Sequence, residues 1–362
     1  MKIALFHNLP PGGAKRTVYE QVKHLSRYHE IHLFQLSGTD EKFLSLRSFV
    51  KSIHIYPFQL SSNRLVSDYQ KFFILPRIHK KMAQDINAAV ALIHADQYTQ
   101  APYILRYLKI PSLYFCQEML RIAYEPELAF TDLVLFPKKY YESFTRQIRK
   151  LTDKSNAQAA SLILTNSDYT GANVRRHFHT DTVTCHLGVD PQVFHPQKLP
   201  RKNELLLIDS PDKISGFDLV QAALDLLPRS TRPSLRLLNF SSGRPTVSDS
   251  HQIAKLYAAS LAVLCTSFHE PFGLAPIESM ACGTPVLAVN DGGYRETVLN
   301  GIMGWLLPRD PHAFAAKIHY LQKHPQVAKR MGIAGRAPVI KNFTWTKHNH
   351  LVEKSLCHLA SQ

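Results

Sequence analysis

The chain has 362 residues, enough for two domains. Lys and Arg number 43 against 28 Asp and Glu, a formal net charge of +15 that points to polyanionic partners: nucleic acid, anionic lipid or phosphorylated substrates. No zinc-finger, RNA-binding aromatic or helix-turn-helix pattern supports nucleic acid, and no apolar run is long enough to span a bilayer.

Residues 1–6 are apolar but too short for a secretory signal, and they read as a first strand. The strand runs into His7-Asn-Leu-Pro-Pro-Gly-Gly13 and a helix over 14–25, with Val18, Val22 and Leu25 on one face. The turn lacks the spaced glycines of a dinucleotide site, which argues against NAD. Paired Gly12 and Gly13 either make a tight turn or let the backbone approach a phosphate closely. Further strands are predicted over 31–35, 52–57, 90–94, 111–115 and 161–165, with helical stretches over 64–88 and 138–158 between them. Asn166-Ser-Asp reads as a helix N-cap. Strands alternating with helices predict an α/β fold, an open parallel sheet covered by helices on both faces.

Pro191, Pro196 and Pro200, set among basic residues, read as a linker. Beyond it the alternation resumes, with strands over 205–209, 235–239, 261–266 and 285–289. Helices are expected over 217–227, 250–259, from 274, over 312–323 and over 326–341. Five cysteines, at 116, 185, 265, 282 and 357, show no metal-ligand spacing, and most fall in apolar runs. They read as buried thiols of a reducing compartment, so the expected location is cytoplasmic.

The most informative stretch is Ser267-Phe-His-Glu-Pro-Phe-Gly-Leu-Ala-Pro-Ile-Glu278. A buried strand precedes it, Pro271 and Gly273 break the pattern, and a helix starts near Leu274 with Pro276 tolerated in its first turn. This leaves the backbone N–H groups of Phe272, Gly273 and Leu274 at a helix N-terminus, where anions are favoured. Glu270 and Glu278 flank them, and a carboxylate accepts hydrogen bonds in pairs, which suits a vicinal diol. Together they make a chemically sensible receptor for a sugar joined to a phosphate.

The stretch resembles the glutamate–seven residues–glutamate signature of family 4 retaining glycosyltransferases of the GT-B fold. Met280-Ala-Cys-Gly-Thr-Pro-Val-Leu-Ala, Asp291-Gly-Gly-Tyr-Arg-Glu-Thr-Val and Asn300-Gly-Ile-Met-Gly-Trp-Leu-Leu follow in the family's order. The resemblance implies two Rossmann-like doubly wound domains facing a cleft. Residues 1–195 would form the acceptor domain and 196–345 the donor domain, with 346–362 a last helix returning to the first. It implies transfer of a sugar from a nucleoside-diphosphate-sugar to a glycan, glycolipid or lipid-linked acceptor, without cofactor or metal. Glu270 would bind sugar hydroxyls, Glu278 the ribose diol, and residues 272–274 with Gly12 and Gly13 the sugar and phosphates.

The chain departs from the family in three places. Gln117 stands where members often have a histidine near the transferred sugar. Ser210 and Ser215 stand where an arginine and a lysine usually neutralise the diphosphate. The segment from Leu238 to Ile253 is short, so the second domain reads as trimmed. Lys213, on the loop between the two serines, and Arg244 are the replacement cations the sequence offers. The losses motivate an alternative reading, a catalytically weakened relative that binds a glycan or a partner.

Two stretches of the first domain are basic and aromatic together. Residues 61–81 carry Arg64, Lys71, Arg77, Lys80 and Lys81 around Tyr69, Phe72, Phe73, Ile74 and Leu75. Residues 134–154 carry six basic residues with Tyr140, Tyr141 and Phe144. Either the apolar face of each is core, or it meets an anionic membrane surface, placing the protein peripherally on the inner face.

Overall fold

The computed structural model describes residues 1–125, 138–208, 214–238 and 249–362. They form two compact units, Met1–Cys185 with Asn349–Gln362, and His186–His348.

The first unit is built on seven parallel strands: β1 (Lys2–Asn8), β2 (Glu30–Leu36), β3 (Ser52–Tyr56), β4 (Val90–Asp96), β5 (Ser112–Cys116), β6 (Leu162–Thr165) and β7 (Val183–Thr184). Their order is β3-β2-β1-β4-β5-β6-β7. A strand covered on both faces needs no polar alternation, and every residue of β4 is buried. The helices are α1 (Gly13–Leu25), α2 (Arg64–Tyr69), α3 (Leu75–Asp85), the short α4 (Arg121–Tyr124), α5 (Lys138–Ala157) and α6 (Asp168–Phe178). Phe6, Phe34, Leu75, Met82, Ile93 and Tyr114 are core residues between helices and sheet.

The single helical stretch expected over 64–88 ends at Asp85 and is interrupted by a π-helical turn, Gln70–Ile74. Pro76 supplies the reason. It lacks the N–H that would continue the α ladder, and the ladder widens by one residue before it. Helix α5 also departs from the usual pattern. It buries Thr145, Asp153, Asn156 and Ala157, while Phe144 and Leu151 are 65% and 64% exposed. Asp153 explains the inversion, because its buried carboxylate accepts from the backbone N–H groups of Ala101 and Leu120 at 2.9 and 3.2 Å.

The second unit has five parallel strands: β8 (Glu204–Ile208), β9 (Ser234–Leu238), β10 (Ala262–Cys265), β11 (Val286–Val289) and β12 (Gly304–Leu307). Their order is β12-β11-β10-β8-β9, so the winding reverses between β10 and β8. Strand β12 is an addition to the sequence reading. Gly304 lets it lie close to β11, since a Cβ there would sit 2.2 Å from the Val286 carbonyl oxygen. The helices are α7 (Phe217–Asp225), α8 (Ser250–Ala259), α9 (Leu274–Ala281), α10 (Tyr294–Thr297), α11 (Pro311–Lys323), α12 (Pro325–Asn342) and α13 (Trp345–Ala360), whose residues from Asn349 belong to the first unit. There Glu353 contacts His24 and His29 at 3.0 and 2.9 Å.

Four of the five cysteines are buried and reduced, and only Cys357, on α13, is exposed. Among the described residues no helix is long and apolar enough to cross a membrane.

Candidate functional site

In open α/β sheets ligands bind outside the carboxyl ends of the strands, where the winding reverses. In the second unit that place lies between β8 and β10, and the loop from Ser267 to Gly273 leaves β10 there. The loop is held tightly. Phe268 N–H donates to the Ile214 carbonyl at 2.8 Å, and Thr266 Oγ1 donates to the Ser215 carbonyl at 2.7 Å. His269 has a positive φ of 47°, a conformation costing about 1–3 kcal/mol in a non-glycine residue. Asp291 sustains it, accepting from the His269 N–H at 3.0 Å and approaching its ring Nδ1 at 3.3 Å. Such strain, kept by a dedicated partner, is a reason to take this loop as the candidate site.

Glu270 is half-buried at the loop's centre, and its carbonyl accepts from Gly293 N–H at 2.8 Å. Gly292 must be glycine, because a Cβ would sit 2.4 Å from that carbonyl oxygen. Gly273 has φ 82°, and a Cβ would strike the Tyr294 ring at 2.7 Å. Helix α9 then begins at Leu274 without a side-chain cap. Glu278, on α9, is 6% exposed and accepts from Tyr257 O–H of α8 at 2.9 Å. Phe272 is buried against the rings of His186 and Phe343.

Arg309 follows β12. Its Nη1 donates to the Thr266 carbonyl at 2.8 Å and its Nη2 to the Ser267 carbonyl at 3.2 Å. Its guanidinium lies 3.4 Å from the centroid of the Phe268 ring, well inside cation–π range. Ser215 is buried beside it, whereas Ser210, Lys213 and Arg244 lie outside the described residues.

The first unit gathers the other expected residues. Gln117, buried beyond β5, donates from Nε2 to the Ala14 carbonyl at 3.2 Å, directly after Gly12 and Gly13. Beneath this turn lies a charge cluster the sequence reading missed. Lys15, wholly buried, reaches Glu41 Oε1 at 2.9 Å and His7 Nε2 at 3.1 Å. Burial pushes His7 down to about 4 and lowers Lys15. Burial alone would raise Glu41, but its bond to His7 and the charge and bond of Lys15 outweigh that and bring it to about 2. A basic residue eight positions after a strand histidine carries no recognisable signal until the fold closes over both.

Two doubly wound parallel sheets, one carrying the glutamate-flanked loop at its switch point, define the GT-B fold. The Glycosyltransferase Family 4 model matches residues 11–193, half of the chain, and the Glycosyl transferases group 1 model matches residues 245–337. The chain belongs to glycosyltransferase family 4.

Alpha-maltose-1-phosphate synthase of Mycolicibacterium smegmatis is 34% identical over 113 residues, which span 29% of this chain and only 28% of that protein. Two solved structures share the fold over 99% of both chains. Sucrose-phosphate synthase from Thermosynechococcus elongatus has a TM-score of 0.76 at 19% identity. Anabaena HepE, in complex with UDP and glucose, has a TM-score of 0.73 at 17% identity.

Proposed function

We propose that the protein transfers a sugar from a nucleoside-diphosphate-sugar to a hydroxyl acceptor with retained configuration. The observation that carries this reading is the strained loop at the β8–β10 switch point, with Glu270 on the loop and Glu278 on the helix after it. Glu270 binds hydroxyls of the donor sugar. Glu278, aligned by Tyr257, takes the ribose diol, and the N–H groups of residues 272–274 meet negative charge. Gln117 and the Gly12–Gly13 turn serve the transferred sugar, and no metal or cofactor takes part. Catalysis rests on positioning and on stabilising the departing diphosphate.

The acceptor is a glycan, glycolipid or lipid-linked sugar, met at the cytoplasmic face of a membrane. Two features support this. Arg64 contacts Glu142, and Asp68 accepts from Tyr141 and Arg149 at 2.8 and 2.7 Å, clamping α2 to α5. Leu65, Val66, Tyr69 and Phe73 are exposed on one side of that clamp, and Tyr140, Phe144 and Leu151 on the other, among lysines and arginines. Exposed aromatic and basic residues together suit an anionic bilayer. Co-sedimentation with phosphatidylglycerol vesicles, and none with neutral ones, is expected; equal binding to both would argue against it.

The core test is thermal stability with UDP, GDP and ADP. A nucleotide at a hundredfold excess over its Kd adds about 2.7 kcal/mol. Glu270→Gln should then lower turnover about ten- to a hundredfold, the worth of a charged hydrogen bond. Ser215, uncharged and buried, favours the weakened-relative reading. That reading gains if no nucleotide stabilises the protein.

A further inference from the structure

A departing nucleoside diphosphate gathers negative charge, and a positioned donor in a water-poor site stabilises it most. Ser215 offers no such charge. Two described arginines of the second unit hold loops at the carboxyl ends of its strands, Arg295 the one after β11 and Arg309 the one after β10. Arg295 spends its guanidinium on Asn290, at 2.7 to 3.2 Å, on an exposed edge. Arg309 is placed differently. It reaches from the end of β10 to the start of α7, the helix that follows β8, where a Cβ on Gly216 would lie 3.0 Å from its Nη1. Gly216 is the N-cap of α7, so the guanidinium stands at that helix's start as well.

Its direct partners among the described residues carry no negative charge: they are two carbonyl oxygens and the Phe268 ring. Among the described residues no carboxylate lies within ion-pair distance of it. The acids that act on it through space are Asp291 and Asp218, and Asp291 is committed to His269 and to Gly292 N–H. The carbonyl bonds fix the guanidinium's plane, and the side chain keeps partial exposure. A part-exposed guanidinium held by carbonyls, with no carboxylate in ion-pair contact among the described residues, can present its planar fork to phosphate oxygens.

We propose that Arg309 binds the diphosphate of the donor at the β8–β10 switch point. The proposal rests on the nucleotide-sugar reading above. The rival is a staple, in which Arg309 only ties β12 to the end of β10.

The experiment separates the two. Affinity is measured by calorimetry for whichever of UDP, GDP or ADP the wild type binds, and for the matching nucleoside by competition. Both are repeated on Arg309→Met and Arg309→Lys, with melting temperatures alongside. The expected result for Arg309→Met is about ten- to a hundredfold weaker diphosphate binding, the span of a charge-assisted hydrogen bond, with nucleoside binding within twofold of wild type. Arg309→Lys keeps the charge and should recover part of the loss. If diphosphate and nucleoside weaken equally, or neither weakens while the melting temperature falls, Arg309 is a staple and the proposal is overturned. Should Arg309→Met fail to fold, an Arg309→Lys protein with unchanged diphosphate-to-nucleoside discrimination overturns it as well. If the wild type binds no nucleoside diphosphate at all, the nucleotide-sugar reading itself fails, and this inference with it.

Discussion

Lys15 in the first unit and Arg309 in the second are both cations set against the loop that leaves a strand's carboxyl end. Lys15 is fully buried and closed off by Glu41 and His7. Arg309 is part-buried and meets only carbonyls and a ring among the described residues. A buried ion pair costs desolvation on both sides and often adds little net stability, yet losing one partner is expensive. The difference teaches where to look for a ligand. A charge satisfied within its own unit holds a loop in place, whereas a charge that meets only neutral groups among the described residues is the one to probe with an anion.

The most severe way to break the comparison is to orphan Lys15. Glu41→Leu should cost about 3–5 kcal/mol in urea unfolding, because a buried charge loses its counterion. A cost below about 1 kcal/mol would mean that the cluster is open to water.

Acid should open the same cluster in wild type. Burial keeps His7 neutral when folded, at about 4 against an ordinary 6.5. Between those values the unfolded chain takes up a proton that the folded chain refuses. Stability is therefore full above pH 6.5 and falls as pH drops toward 4, by about 3 kcal/mol for a shift of this size. Glu41, depressed to about 2, adds stability that is present above 4.5 and lost as pH falls toward 2. Buried His79, pushed to about 3, has the sign of His7, while Asp96 and Asp153, raised to about 6 and 7, have the opposite sign. The measurement is thus the difference between wild type and His7→Gln, whose stability should vary less between pH 6.5 and 4.

Arg309→Met strands no ion-paired carboxylate among the described residues. It should cost about 2 kcal/mol for two charge-assisted bonds, less than Glu41→Leu. A larger loss than Glu41→Leu would reverse the comparison. The smallest effect on stability belongs to the exposed face of α5. Phe144→Ser with Leu151→Ser should stay within about 0.5 kcal/mol of wild type while lowering vesicle binding.

Much of this architecture could be read from the chain. Continuous apolar runs and the turns between them located most strands of both sheets within one or two residues, since parallel strands are buried on both faces. Glu270, Glu278 and the 272–274 turn stood out because Pro271 and Gly273 interrupt a strong pattern. Arg309 did not, because its partners are backbone carbonyls more than forty positions earlier, and backbone contacts leave no mark on residue identity. His269 was silent for a related reason, since its φ is fixed by Asp291, twenty-two positions away. The face of α5 was readable as amphipathic, with core and membrane surface left as alternatives, because Asp153 settles the orientation through backbone groups of distant segments.

The buried cysteines carry a practical consequence. Cys116 ends β5 in the first sheet and Cys265 ends β10 in the second. Both thiols are shielded in the folded chain, whereas Cys357 is open to solvent. A brief alkylation pulse therefore modifies Cys357 at once and each buried thiol only when its own sheet opens. Mass spectrometry of the tagged peptides then times the unfolding of the two sheets separately in a single unmodified protein, with Cys357 as the internal clock.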